Sequence, residues 1–145
     1  MKLNLEINNL AKSPIKEAVI KTVAKKTLQA DEFNFLKNKT ILISLAIVGK
    51  AEIKKINKIY RKKNEPTDVL SFAEYKNIRG IEAEKGRRVF LGELILCYDD
   101  IKDYANREET DFDKELAKAV VHGILHLFGL AHGKKTFGIQ DKVIK

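Results

Sequence analysis

A single cysteine, Cys97, is all the thiol this 145-residue chain contains. No intrachain disulfide can form, and no Cys-x-x-Cys pair offers a thiolate metal site. Cys97 itself reads as a small buried residue on a strand. Long apolar runs are also missing. The longest outside the histidine-bearing segment, residues 41–48, is broken by Ser44 and falls short of the about 20 residues a bilayer requires. Residues 1–7 alternate like a strand and lack the apolar block of a signal peptide. The expected location is therefore the cytoplasm, with no membrane contact. There are no repeats and no low-complexity linkers, so residues 1–145 are expected to form one domain with its own core. Histidine is scarce too. There are three, and all of them fall in one short segment.

That segment runs His122-Gly-Ile-Leu-His126-Leu-Phe-Gly129-Leu-Ala-His132. On a helix over 111–128, His122 and His126 stand one turn apart on the same face. Gly129 can end that helix in a left-handed conformation, letting the chain turn back so that His132 closes a triangle of imidazoles. Zinc favours this donor set, with one tetrahedral position left for water or substrate. One Zn2+ per chain is the expected cofactor. The spacing is that of the metzincin metalloproteases, but the position after the first histidine, where those enzymes carry a glutamate base, is Gly123. The metal site is expected and the peptidase chemistry is not. The segment 119–130 is apolar almost all round, so the helix and its imidazoles are expected to be buried.

With 28 basic and 20 acidic residues the chain carries a net charge of +8, which favours polyanionic partners. Between Lys50 and Lys63 the only acid is Glu52. Lys54, Lys58, Arg61 and Lys62 share one face of a helix there, with Ile53, Ile56 and Tyr60 on another. Such a face is either simply solvated or tracks a nucleic-acid strand.

The element pattern predicts an α+β fold, a mixed β-sheet with helices packed on it, in the order β-α-β-α-β-β-α-α. Residues 2–8 form a first strand. A helix capped by Ser13 with Pro14 at its first position continues to about Leu28, burying Ile15, Val19 and Val23. Residues 41–48, apolar on both faces, suit a central strand. The basic helix ends before Asn64-Glu65-Pro66. Strands at 69–73 and 89–97 flank a charged loop at 74–88. A helix near 99–106 precedes a capping-box-like start at Thr110 for the histidine helix.

Tyr60-Arg61, then Pro66-Thr67-Asp68-Val69-Leu70-Ser71-Phe72, then Leu91-Gly92-Glu93, then the histidine motif resemble the successive motifs of the YbeY family. These are bacterial metal-dependent endoribonucleases implicated in ribosomal RNA maturation and ribosome quality control. The likeness spans roughly residues 1–133. It implies a zincin-like fold, zinc held by His122, His126 and His132, RNA and the ribosome as partners, and Arg61 as a phosphate-binding, catalytically important residue. Lys54, Lys58 and Lys62 would follow the RNA backbone. Asp68 would line the site, although its simplest role is as a turn residue bonding its own backbone. Glu93, on an apolar strand, would be a buried carboxylate paired with Arg61 or a lysine, or a proton acceptor in the site.

The chain departs from the family at three places. Ala131 replaces an aspartate before the third histidine, removing a carboxylate that could orient it. Gly92-Glu93 replaces Gly-Asp. The tail after His132 lacks the usual acidic, helix-forming pattern. The resulting expectation is metal-assisted cleavage of single-stranded RNA with weak sequence preference, by water or by the RNA's own 2′-hydroxyl. A non-catalytic RNA- or ribosome-binding factor and, further off, a metallopeptidase are the alternatives.

Overall fold

A computed structural model of the protein describes residues 1–130 and 133–144. The chain runs β1 (Lys2–Asn9), α1 (Glu17–Leu28), a 3-10 helix (Asp31–Leu36), β2 (Thr40–Val48), α2 (Lys50–Arg61), β3 (Val69–Ala73), α3 (Ile78–Glu82), β4 (Arg88–Cys97), α4 (Tyr98–Glu108), α5 (Phe112–Leu127) and α6 (Lys134–Ile144). The strands form one mixed sheet in the order β1-β2-β4-β3. β1, β2 and β4 are parallel, and β3 lies antiparallel to β4 as an edge strand. This is the expected α+β architecture, with the strand and long-helix order read from the sequence.

Two layers of side chains sandwich the sheet. On one face, Ile41, Ile43, Leu45 and Ile47 of β2 and Leu94 and Leu96 of β4 join α1, α4, α5 and α6 in the main core. On the other, Val48, Ile53, Leu70, Ile95 and Cys97 form a smaller cluster under α2. Cys97 is fully buried there, and burial pushes its thiol pKa up, so it is a packing residue rather than a thiolate. No described helix is long and apolar enough to cross a membrane.

Several local expectations need correction. Ser13 does not cap α1. Its N–H and hydroxyl both donate to Asn9 Oδ1, so the serine closes the β1 turn, and the helix starts at Glu17 after Lys16. Asp111 rather than Thr110 caps α5, accepting from Lys114 N at 3.0 Å. The stretch 74–88 is not all loop. Asn77 caps the short α3 through Gly80 N, and Ile81 drops into the core. The tail after the histidines does form a helix, α6, because Thr136, Ile139 and Val143 give it one buried stripe. Residues 31–36, left unassigned by sequence pattern, bury Phe33 and Leu36.

That 3-10 segment matters for the histidine helix. Phe33 stacks on Phe128 with ring centroids 4.1 Å apart, and Phe35 meets both rings edge-on. Aromatic pairs of this kind add about 1 kcal/mol beyond the area they bury. They fix the C-terminal end of α5, two residues beyond His126.

Candidate active site

The candidate site is a cleft of about 780 Å³ along β3, the edge strand. Arg61 and Lys63 from the end of α2, Thr67 and Asp68 from the turn, Ser71 and Phe72 from β3, and His122 and His126 from α5 all line it. Each element is placed there by local chemistry. Lys62 sits in the left-handed region at φ 59° and stops α2. That conformation costs an L-residue about 1 kcal/mol. Asn57, buried beneath the turn, offsets the cost by donating from Nδ2 to the Glu65 carbonyl at 2.9 Å and accepting from Lys63 N. The turn leaves Arg61 at the helix end, where its Nη2 donates to the Ser71 carbonyl at 2.6 Å and its Cζ lies 5.6 Å from the Phe72 ring centre.

The histidine helix approaches β3 closely because position 123 has no side chain. A Cβ there would lie 3.0 Å from Val69 Cγ2 and 3.1 Å from Leu94 Cδ2. Ser71 Oγ donates to the Gly123 carbonyl at 2.8 Å, tying strand to helix between the two imidazoles. The expectation of buried imidazoles is corrected here. α5 is apolar around most of its circumference, but Lys118 and His122 are half-buried and His126 is exposed along one open stripe. The helix then ends as expected. Gly129 takes φ 74°, and Gly129 N and Leu130 N bond back to the carbonyls of His126 and Leu125. His132 and Ala131 lie outside the described residues. Among the described residues no group of three His, Cys, Asp or Glu side chains could hold a metal ion. Two imidazoles one turn apart on the wall of one cleft nevertheless fit a nitrogen-preferring transition metal that takes its third ligand from elsewhere.

Asp68 meets both of its descriptions. Its Oδ1 accepts from Val69 N at 2.8 Å and Thr67 Oγ1 at 3.3 Å, as a turn residue does, and it also lines the cleft. A second, smaller cleft of about 390 Å³ shares Thr67, Asp68 and His122 and adds Asp100, Tyr104, Glu115 and Lys118. Burial first, then the neighbouring Asp68 carboxylate, push the Asp100 pKa up. Glu115 is buried but accepts from Lys118 at 3.1 Å.

Glu93 is not where the sequence pattern put it. The register shifts at Leu42/Ile43 against β4, with Gly92 at φ 141°. A Cβ on Gly92 would stand 2.2 Å from the Phe72 carbonyl, so only glycine lets β3 close on β4. After this bulge Glu93 faces away from α5, exposed, in register with Ser44 and Phe72. It is neither buried nor in the cleft. Lys54 and Lys58 are exposed on α2 and do not line the cleft; Lys62 leaves the helical stripe for the cap, and Lys63 takes the lining position instead. Pattern reading missed Lys63, Ser71, Asp100 and Tyr104. Ser71 alternates with Leu70 and Phe72 on β3, and Asp100 and Tyr104 share a face of α4, but neither signal names a cleft.

Position 123 has no room for a side chain. Because its Cβ direction runs into the sheet, Gly123→Glu should not create a peptidase. It should instead lower the unfolding free energy by about 2 kcal/mol or more by overpacking and by burying a carboxylate. Urea unfolding and a casein assay measure both effects, and chelator-sensitive proteolysis by the variant would contradict this geometry.

Comparison with known proteins gives the family. The profile of the endoribonuclease YbeY family matches residues 6–139. A protein named endoribonuclease YbeY from Staphylococcus saprophyticus is 38% identical over 110 residues, covering 70% of this chain and 69% of its own. One of the same name from Malacoplasma penetrans is 39% identical over 117 residues, covering 76% and 72%. The solution structure of TM1509 from Thermotoga maritima superposes with a TM-score of 0.61 at 25% identity, over 97% of this chain and 87% of that one. From cleft, motif order and sequence similarity together, the chain belongs to the endoribonuclease YbeY family.

Proposed function

We propose that this protein is a zinc-dependent endoribonuclease of the cytoplasm that prefers single-stranded RNA and acts in ribosomal RNA maturation and ribosome quality control. His122, His126 and His132 would hold the metal, and Arg61 would bind the phosphate to be cleaved. The observation that carries this reading is the meeting of Arg61 with His122 and His126 in one cleft along β3. A basic residue on a merely solvated helix face has no reason to reach across a strand edge to that position.

When bound, zinc contributes Lewis acidity toward the phosphodiester. The chain's own residues do the positioning. One guanidinium nitrogen of Arg61 is held by the Ser71 carbonyl, which fixes the plane of the fork and leaves its other donors for the phosphate oxygens. Those donors stabilise negative charge as it grows in the transition state. Lys63 adds positive charge at the cleft wall, and Lys54, Lys58 and Lys62 hold the flanking backbone through contacts that carry no sequence information. Asp68, fixed by Val69 N, supplies a carboxylate beside His122. The open stripe on α5 and the few groups able to read base edges suit a strand of weak sequence preference.

The test is turnover. Purified, metal-analysed protein is incubated with end-labelled RNA, single-stranded or annealed to its complement. Cleavage of the single strand that is faster than cleavage of the duplex and is lost on chelation is the expected result. Tight binding without any turnover would contradict the reading and favour a non-catalytic RNA-binding factor.

A further inference from the structure

We propose that Tyr60 and Phe72, with the Arg61 guanidinium over the second ring, form a stacking platform for one unpaired nucleobase of the RNA strand. The proposal rests on the endoribonuclease reading of the neighbouring cleft and identifies the part of the substrate held beside it. Tyr60, at the end of α2, is 65% exposed. It meets Phe72 with ring centroids 5.2 Å apart at 76°. An edge-to-face pair leaves ring faces open to a third planar group. Phe72 is shared: it belongs to this pair and also lines the cleft with Arg61, His122 and His126. Platform and cleft are therefore continuous.

The charge around the pair selects the occupant. Lys58, Arg61, Lys62 and Lys63 surround Tyr60 in sequence and are exposed. Open aromatic faces set among cations are what a single-stranded polyanion requires, since every base has a π-face and every linkage a phosphate. Arg61 joins the two functions. Its Cζ lies 5.6 Å from the Phe72 ring centre and its Nη2 is bonded at the strand edge, so a base stacked here places its own phosphate at the same guanidinium. Glu93, the cross-strand neighbour of Phe72, and Glu6, exposed further along the same row of the sheet, place carboxylates on this face as well.

The experiment compares two probes of equal length and charge, a 2′-O-methyl oligoadenylate and the same backbone with abasic positions, each about eight nucleotides long, within the span of a small-domain site. Binding of each to the full, metal-loaded chain is followed by fluorescence anisotropy. Wild type should prefer the base-bearing strand roughly tenfold, the scale of one stacked base. Tyr60→Leu keeps apolar bulk but has no ring, and should reduce that preference to within about twofold of unity while abasic binding holds. Tyr60→Phe should retain the preference, which excludes a role for the hydroxyl and controls for folding. Lys58→Gln should weaken both probes alike. Equal binding of both probes by wild type, or full preference in Tyr60→Leu, overturns the proposal. Neither readout needs turnover, so base-selective binding without cleavage would contradict the endoribonuclease reading and leave the platform standing, while cleavage without base selectivity would do the reverse.

Discussion

Arg61→Lys should lower the rate of RNA cleavage at saturating substrate on the order of 100-fold, the scale of losing one preorganised transition-state donor. The side chain is exposed, but it is not free to wander. The Ser71 carbonyl holds Nη2 at 2.6 Å and the Phe72 ring lies beneath the guanidinium. Lysine keeps the charge and can reach one acceptor, yet it has no planar fork with which to bond strand and phosphate together. Metal content should be unchanged, and most RNA affinity should persist because Lys54, Lys58, Lys62 and Lys63 remain. Lys58→Arg, one turn back on the same helix, is the control and should stay near the wild-type rate. A thermal melt separates a catalytic loss from a loosened β3 edge. A rate for Arg61→Lys within a fewfold of wild type would return Arg61 to the solvated face of α2.

The second large effect is on the metal. His126→Ala should reduce bound zinc from about one ion per chain to a trace, because two remaining imidazoles leave a tetrahedral site half-built. The His126 side chain is exposed, so the apo variant should still fold. Stability should therefore separate by condition. In zinc buffer the wild type should melt higher than the variant, since a ligand bound only to the native state adds RT ln(1 + [L]/Kd). In chelator most of that difference should disappear. Elemental analysis and paired melts read this directly, and full zinc occupancy in the variant would remove His126 from the ligand set.

Much of this architecture is legible in residue order because its signals are local. Alternation and apolar runs locate all four strands to within a residue or so, and Gly129 marks the helix end through a left-handed conformation that glycine adopts freely. The errors have tertiary causes. Glu93 reads as buried because the strand around it is apolar, but the bulge at Gly92 turns it to the exposed face. His126 reads as buried because the helix is apolar almost all round, and its one polar stripe, Lys118-His122-His126, is narrow. Ser13 has a cap's spacing to Pro14, but Asn9 takes its hydroxyl. α6 was missed because three buried residues in eleven make a weak period.

The site itself was only half visible. Its histidines and Arg61 stand in motifs, whereas Lys63, Ser71 and Asp100 gain their places only when α2, β3, α4 and α5 meet. Gly123 shows the limit from the other side. Its significance as a missing base can be read from spacing, but its packing against Val69 and Leu94 cannot.

We propose that the cleft bearing His122, His126 and Arg61 cleaves RNA with the help of a bound metal. The most direct test follows one preparation on one labelled single-stranded RNA through three states: as purified, after chelator and dialysis, and after readdition of one equivalent of zinc. Cleavage that is present, then lost, then restored, with products ending at internal positions of the strand, is the predicted result. Cleavage that continues undiminished in protein shown by elemental analysis to hold no metal would contradict it.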